Sequence, residues 1–156
     1  VTGQQGNPAS VLGQAKELLE NEHTLAVATS QPDGSPWIAN LYFALVPPSA
    51  SESRVRLCVL TSPESQHARH WEATGQVALA VYAHPDFPRQ EVKGLQMKGH
   101  CLPAKDAPDA QAAIEAYRTR FPDAPEVEAG QSYYLIEVSW LKWLDRSTGE
   151  SGTWPA

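Results

Sequence analysis

The stretch Ser132 to Leu144 (SYYLIEVSWLKWL) is the most aromatic β-like segment of the chain, and it limits the folds open to the rest. Period-2 alternation sets Tyr134, Ile136, Val138, Trp140 and Lys142 against Tyr133, Leu135, Glu137, Ser139, Leu141 and Trp143. Both sides are largely apolar, so this strand must be covered on both faces. With 156 residues the chain is one domain by size. A chain this small cannot easily cover such a strand alone, which predicts a homodimer burying well over about 1,000 Å².

Five further segments carry strand patterns. Thr24 to Ser30 (TLAVATS) leads through the turn Pro32-Asp33-Gly34-Ser35 into a long second arm, Pro36 to Val46. Trp37, Ala39, Leu41, Phe43 and Leu45 share one face of that arm. Ile38, Asn40, Tyr42, Ala44 and Val46 share the other, where Asn40 is the polar exception. Arg54 to Leu60, Val77 to Tyr82 and Glu91 to Leu102 complete the set; Gly94 and Gly99 inside the last predict a bulge, a corner or a close backbone approach. Pro8 to Glu20 has the apolar spacing of an amphipathic helix, and Asp106 to Arg120 is a second helix, ended by Phe121-Pro122. Tyr117, Arg118 and Arg120 read as packing and surface residues. Six strands joined by turns, with short helices at the start, in the middle and before the last strand, give a mainly β fold, a small β-barrel decorated by helices. Residues 1–7 read as a loose tail, 8–145 as the barrel domain, and 146–156 as a polar tail whose lone Trp154 docks on its own or a neighbouring subunit.

Composition removes several function classes. The net charge of −6 argues against nucleic-acid binding, which relies on Lys and Arg neutralising phosphates. No apolar run is long enough for a membrane span, and no signal peptide is legible, so a cytoplasmic location is expected. Cys58 and Cys101 lack the spacing of a zinc or redox site and read as small packing residues. His67 and His70 lack a spaced third ligand, so no metal is expected. Walker, GxGxxG, HExxH and GxSxG motifs are missing from the sequence.

Chemistry concentrates where the strand ending at Thr61 and Ser62 breaks into a helix expected from Pro63 to Glu72, with Ser62 as N-cap and Gly75 as the stop. A helix start offers free N–H groups and a favourable dipole to an anion such as phosphate. Ser65 adds a hydroxyl, and His67, Arg69 and His70 add positive charge, with only His67 and His70 one turn apart. Glu64 in the first turn opposes an anion, so the same residues also read as an ordinary capped helix.

Four motifs and the final strand resemble the pyridoxamine 5'-phosphate oxidase-like FMN-binding split barrels, and within them a branch of small bacterial proteins. The motifs are PWIANLYF (Pro36 to Phe43), LTSPESQHA (Leu60 to Ala68), GLQMKG (Gly94 to Gly99) and AYRTRFP (Ala116 to Pro122), and the strand ends in LKWLD (Leu141 to Asp145). The resemblance implies a split β-barrel, a homodimer and FMN at the subunit interface with its phosphate beside Thr61, Ser62 and Ser65. His67 stands where the wider family often has a basic residue. Two departures are visible: Gln66 replaces the Arg typical of the branch, leaving Arg69 or His70 to substitute, and the Gly-Phe-Gly segment that usually follows the final Asp is missing.

The expected function is that of an FMN-dependent oxidoreductase in which flavin does the redox chemistry, the substrate is unidentified, and no catalytic acid or base is assigned. Trp37, Asn40, Gln96 and Trp143 are candidates for lining the ring or substrate space. The alternative is a non-catalytic split barrel that holds flavin, haem or another planar ligand, or none. Replacing Ser65 and His67 together is expected to weaken FMN binding at least tenfold, about 1.4 kcal/mol, with little effect on unfolding.

Overall fold

Strands β1 (Thr24–Ser30), β2 (Pro36–Leu45), β3 (Arg56–Thr61), β4 (Gln76–Tyr82), β5 (Lys93–Pro103) and β6 (Ser132–Asp145) form a closed antiparallel barrel in the computed structural model. The order around the ring is β3-β2-β1-β4-β5-β6, and β6 returns to β3. The structure describes residues 7–50, 54–83, 92–124 and 130–155. The expected tail before Asn7 and the expected turn after Ala83 lie outside these residues, as do 51–53 of the Pro/Ser loop and 125–129 of the acidic loop. No helix among the described residues is long and apolar enough to cross a membrane.

Closure depends on β6. It pairs with β5 along nearly its whole length, with β3 through Ser132 to Glu137, and with a seventh strand, β7 (Glu150–Trp154), through Leu141 to Asp145. The segment expected to be a polar tail thus pairs with the sheet, and Trp154 packs against the barrel core.

Alternation along the strands fills the barrel. Leu25 and Val27 of β1, Val77, Leu79 and Val81 of β4, and Leu95 and Met97 of β5 point inward. Helix α1 (Pro8–Asn21) adds Val11, Ala15, Leu18 and Leu19 to this core, and helix α2 (Gln66–Thr74) adds Trp71. A second core lies outside the barrel, where α3 (Ala110–Arg120) lays Ala113 and Tyr117 over Ala44, Val46, Cys58 and Leu135. The chain therefore covers the first half of β6 on both faces itself. Cys58 lies in the outer core and Cys101 in the barrel, both buried.

The expected alternation of the last strand breaks at one residue. Gly99 pairs with Val138 and Lys98 with Trp140, which leaves Ser139 as an extra residue in β6. One inserted residue reverses the faces beyond it. Leu141, Trp143 and Asp145 accordingly join Tyr134, Ile136 and Val138 inside, while Lys142 is exposed. Glycine is required opposite the bulge, because a Cβ on Gly99 would stand 2.5 Å from the Glu137 carbonyl oxygen.

Candidate anion site at the start of helix α2

Between β3 and α2 the chain makes a turn before it makes a helix. Ser62 Oγ accepts from Glu64 N–H (3.1 Å), and Ser62 O accepts from Ser65 N–H (3.0 Å). Ser65 is extended (ψ 152°), its Oγ accepts from Ala68 N–H (3.3 Å), and its carbonyl receives the helical bond from Arg69 (3.1 Å). The N-cap is therefore Ser65 and the helix begins at Gln66, three residues later than the Ser62-Pro63 pattern suggests, because those residues are spent on the turn. Gly75 (φ 71°) ends the helix as expected.

Three predicted residues converge here. His67 is buried, and its Nε2 lies 2.8 Å from Thr61 Oγ1 and 3.0 Å from Ser65 Oγ. Ser65 Oγ also donates to Ser62 O (2.7 Å), which ties the fourth predicted residue to the group. Burial, with a smaller contribution from His70, lowers the His67 pKa from its ordinary value. The imidazole is thus neutral at neutral pH and acquires charge only if an anion beside it favours the imidazolium. Ser65 and His67 hold the start of α2 together through their own hydrogen bonds, so replacing both carries a stability cost that the expected near-unchanged unfolding leaves out.

The other predicted cations point elsewhere. Arg69 is exposed and pairs with Glu64 (2.6 Å), which offsets the carboxylate that would oppose an anion. His70 is buried, with Nδ1 2.9 Å from Thr29 Oγ1 of β1. Gln66 is exposed.

Asn40 and Gln96 share one row across the outer sheet face, in the order Asn40, Ala26, Ala80, Gln96, Lys142. Three strand spacings put them about 14 Å apart. Trp37 pairs with Thr29 and lies on the opposite face of β2 from Asn40, 44% exposed, whereas Trp143 is buried in the barrel. These four candidate lining residues therefore do not form one surface within a single chain.

Three features escaped the sequence reading. The first is the Thr29–His70 bond, which depends on the packing of α2 across the end of β1. The second is an exposed outer face floored by Ala26, Ala28, Ala78 and Ala80 and flanked by Ile38 (67% exposed) and Tyr82 (61%). The alternating alanines in LAVATS and VALAVY carried that signal. The third is Arg120, which donates to the carbonyls of Leu19 (2.9 Å), Glu20 (2.9 Å) and Glu22 at the C-terminal end of α1.

Comparison with solved structures shows this fold elsewhere at low identity. A haem-binding protein from Mycobacterium smegmatis superposes with a TM-score of 0.66 at 14% identity over 90% of this chain and 55% of that one. This chain thus spans little more than half of that relative. HutZ, a haem storage protein from Vibrio cholerae, gives a TM-score of 0.60 at 17% identity over 83% and 90% of the two chains. A FAD-binding protein from Mesorhizobium loti gives 0.62 at 15% identity over 83% and 89%. No curated protein matches in sequence. The family model described as pyridoxamine 5'-phosphate oxidase matches residues 11–144, from α1 through nearly all of β6. With that match over the barrel described above, the chain belongs to the pyridoxamine 5'-phosphate oxidase family and its fold is the split barrel.

Proposed function

We propose that the protein binds FMN with its phosphate at the start of α2 and acts as a flavin-dependent oxidoreductase, as a cytoplasmic homodimer. One observation carries this reading: the hydroxyls of Thr61 and Ser65 meet His67 Nε2 where α2 begins. The backbone N–H groups of Gln66 and His67 precede the first helical bond, which runs from Arg69 to Ser65. Hydroxyls, N–H groups and an ionisable ring at a positive helix end match a phosphate dianion. The Glu64–Arg69 pair removes much of the opposing charge. FMN, when bound, would supply the hydride or electron transfer. The chain would hold its phosphate through Thr61, Ser62, Ser65 and His67, and Asn40 and Gln96 offer amide groups on the outer face.

The dimer rests on the alanine-floored outer face. Small side chains let a second sheet approach closely, and flanking Ile38 and Tyr82 supply apolar area. Haem is the second reading, favoured by the descriptions of two structural neighbours. A haem iron needs a protein ligand; His70 is held by Thr29, and His67 stands in the group assigned here to the phosphate.

Absorbance of the purified protein and calorimetric titration of its apo form with FMN test the proposal. A flavin spectrum, saturable FMN binding and turnover of a reduced nicotinamide are expected. A Soret band with no affinity for FMN would replace flavin by haem.

A further inference from the structure

The hydrogen bonds around His67 fix where its ring carries a proton. Three short contacts meet there: Ser65 Oγ with Ser62 O (2.7 Å), His67 Nε2 with Ser65 Oγ (3.0 Å) and His67 Nε2 with Thr61 Oγ1 (2.8 Å). Ser62 O is a carbonyl and can only accept, so the Ser65 hydroxyl hydrogen lies on it. Ser65 Oγ is then an acceptor with two lone pairs. One receives Ala68 N–H (3.3 Å), and the other faces Nε2. A bare Nε2 could take the Thr61 hydrogen, but it would set lone pair against lone pair at Ser65. With the hydrogen on Nε2, shared between the two hydroxyl oxygens, all three contacts are bonded, and the network assigns that tautomer.

Nδ1 is left with its lone pair. It has no hydrogen-bond partner among the described residues, where Arg56 Nε and Trp71 Nε1 are the side-chain atoms sealed from solvent without one, so Nδ1 still touches solvent. A further proton therefore enters the ring at Nδ1. In the free chain nothing stabilises it there. Burial opposes the charge, the ring stands in the first turn of α2 at the positive end of the helix, and His70 acts on it from one turn along. His70 is itself held by Thr29 of β1 (2.9 Å). Thr61 of β3 and the Trp71 ring, 5.1 Å from the His67 ring at 58°, bring no charge, and Glu64 of the preceding turn is paired with Arg69. An anion at the helix start reverses this balance, because its charge favours the imidazolium.

We propose that His67 couples anion binding to proton uptake: a phosphate settling at the start of α2 brings a solvent proton onto Nδ1, and its affinity falls as pH rises. A guanidinium in this place would stay charged and show no such dependence. Identifying the anion as the FMN phosphate rests on the flavin reading above; the tautomer rests on the hydrogen bonds alone.

Long-range proton–nitrogen NMR of the apo protein tests the tautomer, with the His67 signals identified by their loss in His67→Gln. A protonated Nε2 and a bare Nδ1 are expected at about pH 7.5, above the ordinary histidine range. A bare Nε2, or a doubly protonated ring in the absence of ligand, overturns the assignment. Calorimetric titration with FMN in buffers of different ionisation enthalpy tests the coupling. Uptake of roughly half to one proton per site is expected at about pH 7, with affinity at least about threefold weaker at about pH 8.5. The FMN phosphate is already largely a dianion across that interval, its second pKa being about 6, so the dependence belongs to the protein. His67→Gln and His67→Arg should both lose it. FMN binding with no proton uptake and equal affinity at the two pH values overturns the coupling and leaves the flavin reading standing. No FMN binding at either pH overturns the flavin reading and the coupling together.

Discussion

Ser65 has two tasks that substitution can separate. Its Oγ caps α2 through Ala68 N–H and faces His67 Nε2, so Ser65→Ala removes both a cap and a proposed phosphate contact. Loss of a cap costs about 1 kcal/mol, or roughly 2–4 °C in Tm for a chain of this size. Ser65→Asp keeps a good cap and complements the helix dipole but loses the bond that Ser65 Oγ donates to Ser62 O, so its unfolding free energy should stay within about 1 kcal/mol of wild type. Against FMN the same carboxylate is a repulsive charge: two unit charges at about 4 Å and an effective dielectric near 20 repel by about 4 kcal/mol. Ser65 is only half-buried, so solvent and salt screen part of this, and about 1.4 kcal/mol, a tenfold weakening, is a conservative floor. Urea unfolding of the apo protein at fixed concentration gives the first quantity, and calorimetric FMN titration gives the second. If Ser65→Asp binds FMN as tightly as wild type, the phosphate does not sit at the start of α2. If Ser65→Ala unfolds like wild type, the cap assignment fails.

Gly99→Ala should cost about 1–3 kcal/mol, because its Cβ would meet the Glu137 backbone at 2.5 Å, whereas Gly94→Ala, with nothing nearer than 3.5 Å, should stay within about 0.5 kcal/mol in the same urea melts. The His67 pKa is lower in the folded chain than in the unfolded one, so the unfolded chain takes up more protons below pH ~6.5. Stability is then full above that pH and declines as pH falls into the window beneath it; His67→Gln should show a shallower decline, and an identical slope would exclude His67 as its source. Arg56 is 3% exposed and pairs with Asp109, so Asp109→Ala strands a buried cation at about 3 kcal/mol. Arg56→Met with Asp109→Ala should cost less than Asp109→Ala alone, and a greater loss in the double variant would contradict this account.

Local patterns carried much of the architecture. Alternating apolar residues marked all six barrel strands, the spacing of Val11, Ala15, Leu18 and Leu19 marked α1, and Pro-Asp-Gly marked a turn in which Gly34 has φ 87°. These signals depend on neighbours a few residues away, as the backbone conformations do. The polar group at the start of α2 was legible for the same reason, since Thr61, Ser62, Ser65 and His67 lie within one short stretch.

Long-range pairing decided the rest. Nothing near Ser139 shows that it must bulge; the bulge exists because Gly99 of β5 admits the Glu137 backbone against it, and every face beyond it reverses. Asn40 and Gln96 share a row only because β1 and β4 lie between their strands. Arg120 closes the end of α1 and Asp109 neutralises Arg56 because α3 crosses the outside of β2 and β3. The sequence by itself determined the six barrel strands and the three α-helices, though not β7, and which polar residues gather at the start of α2. Which face each side chain reaches, and which charges are already neutralised, was settled by registers between strands far apart in the chain, since one residue of register moves a side chain to the other side of the sheet.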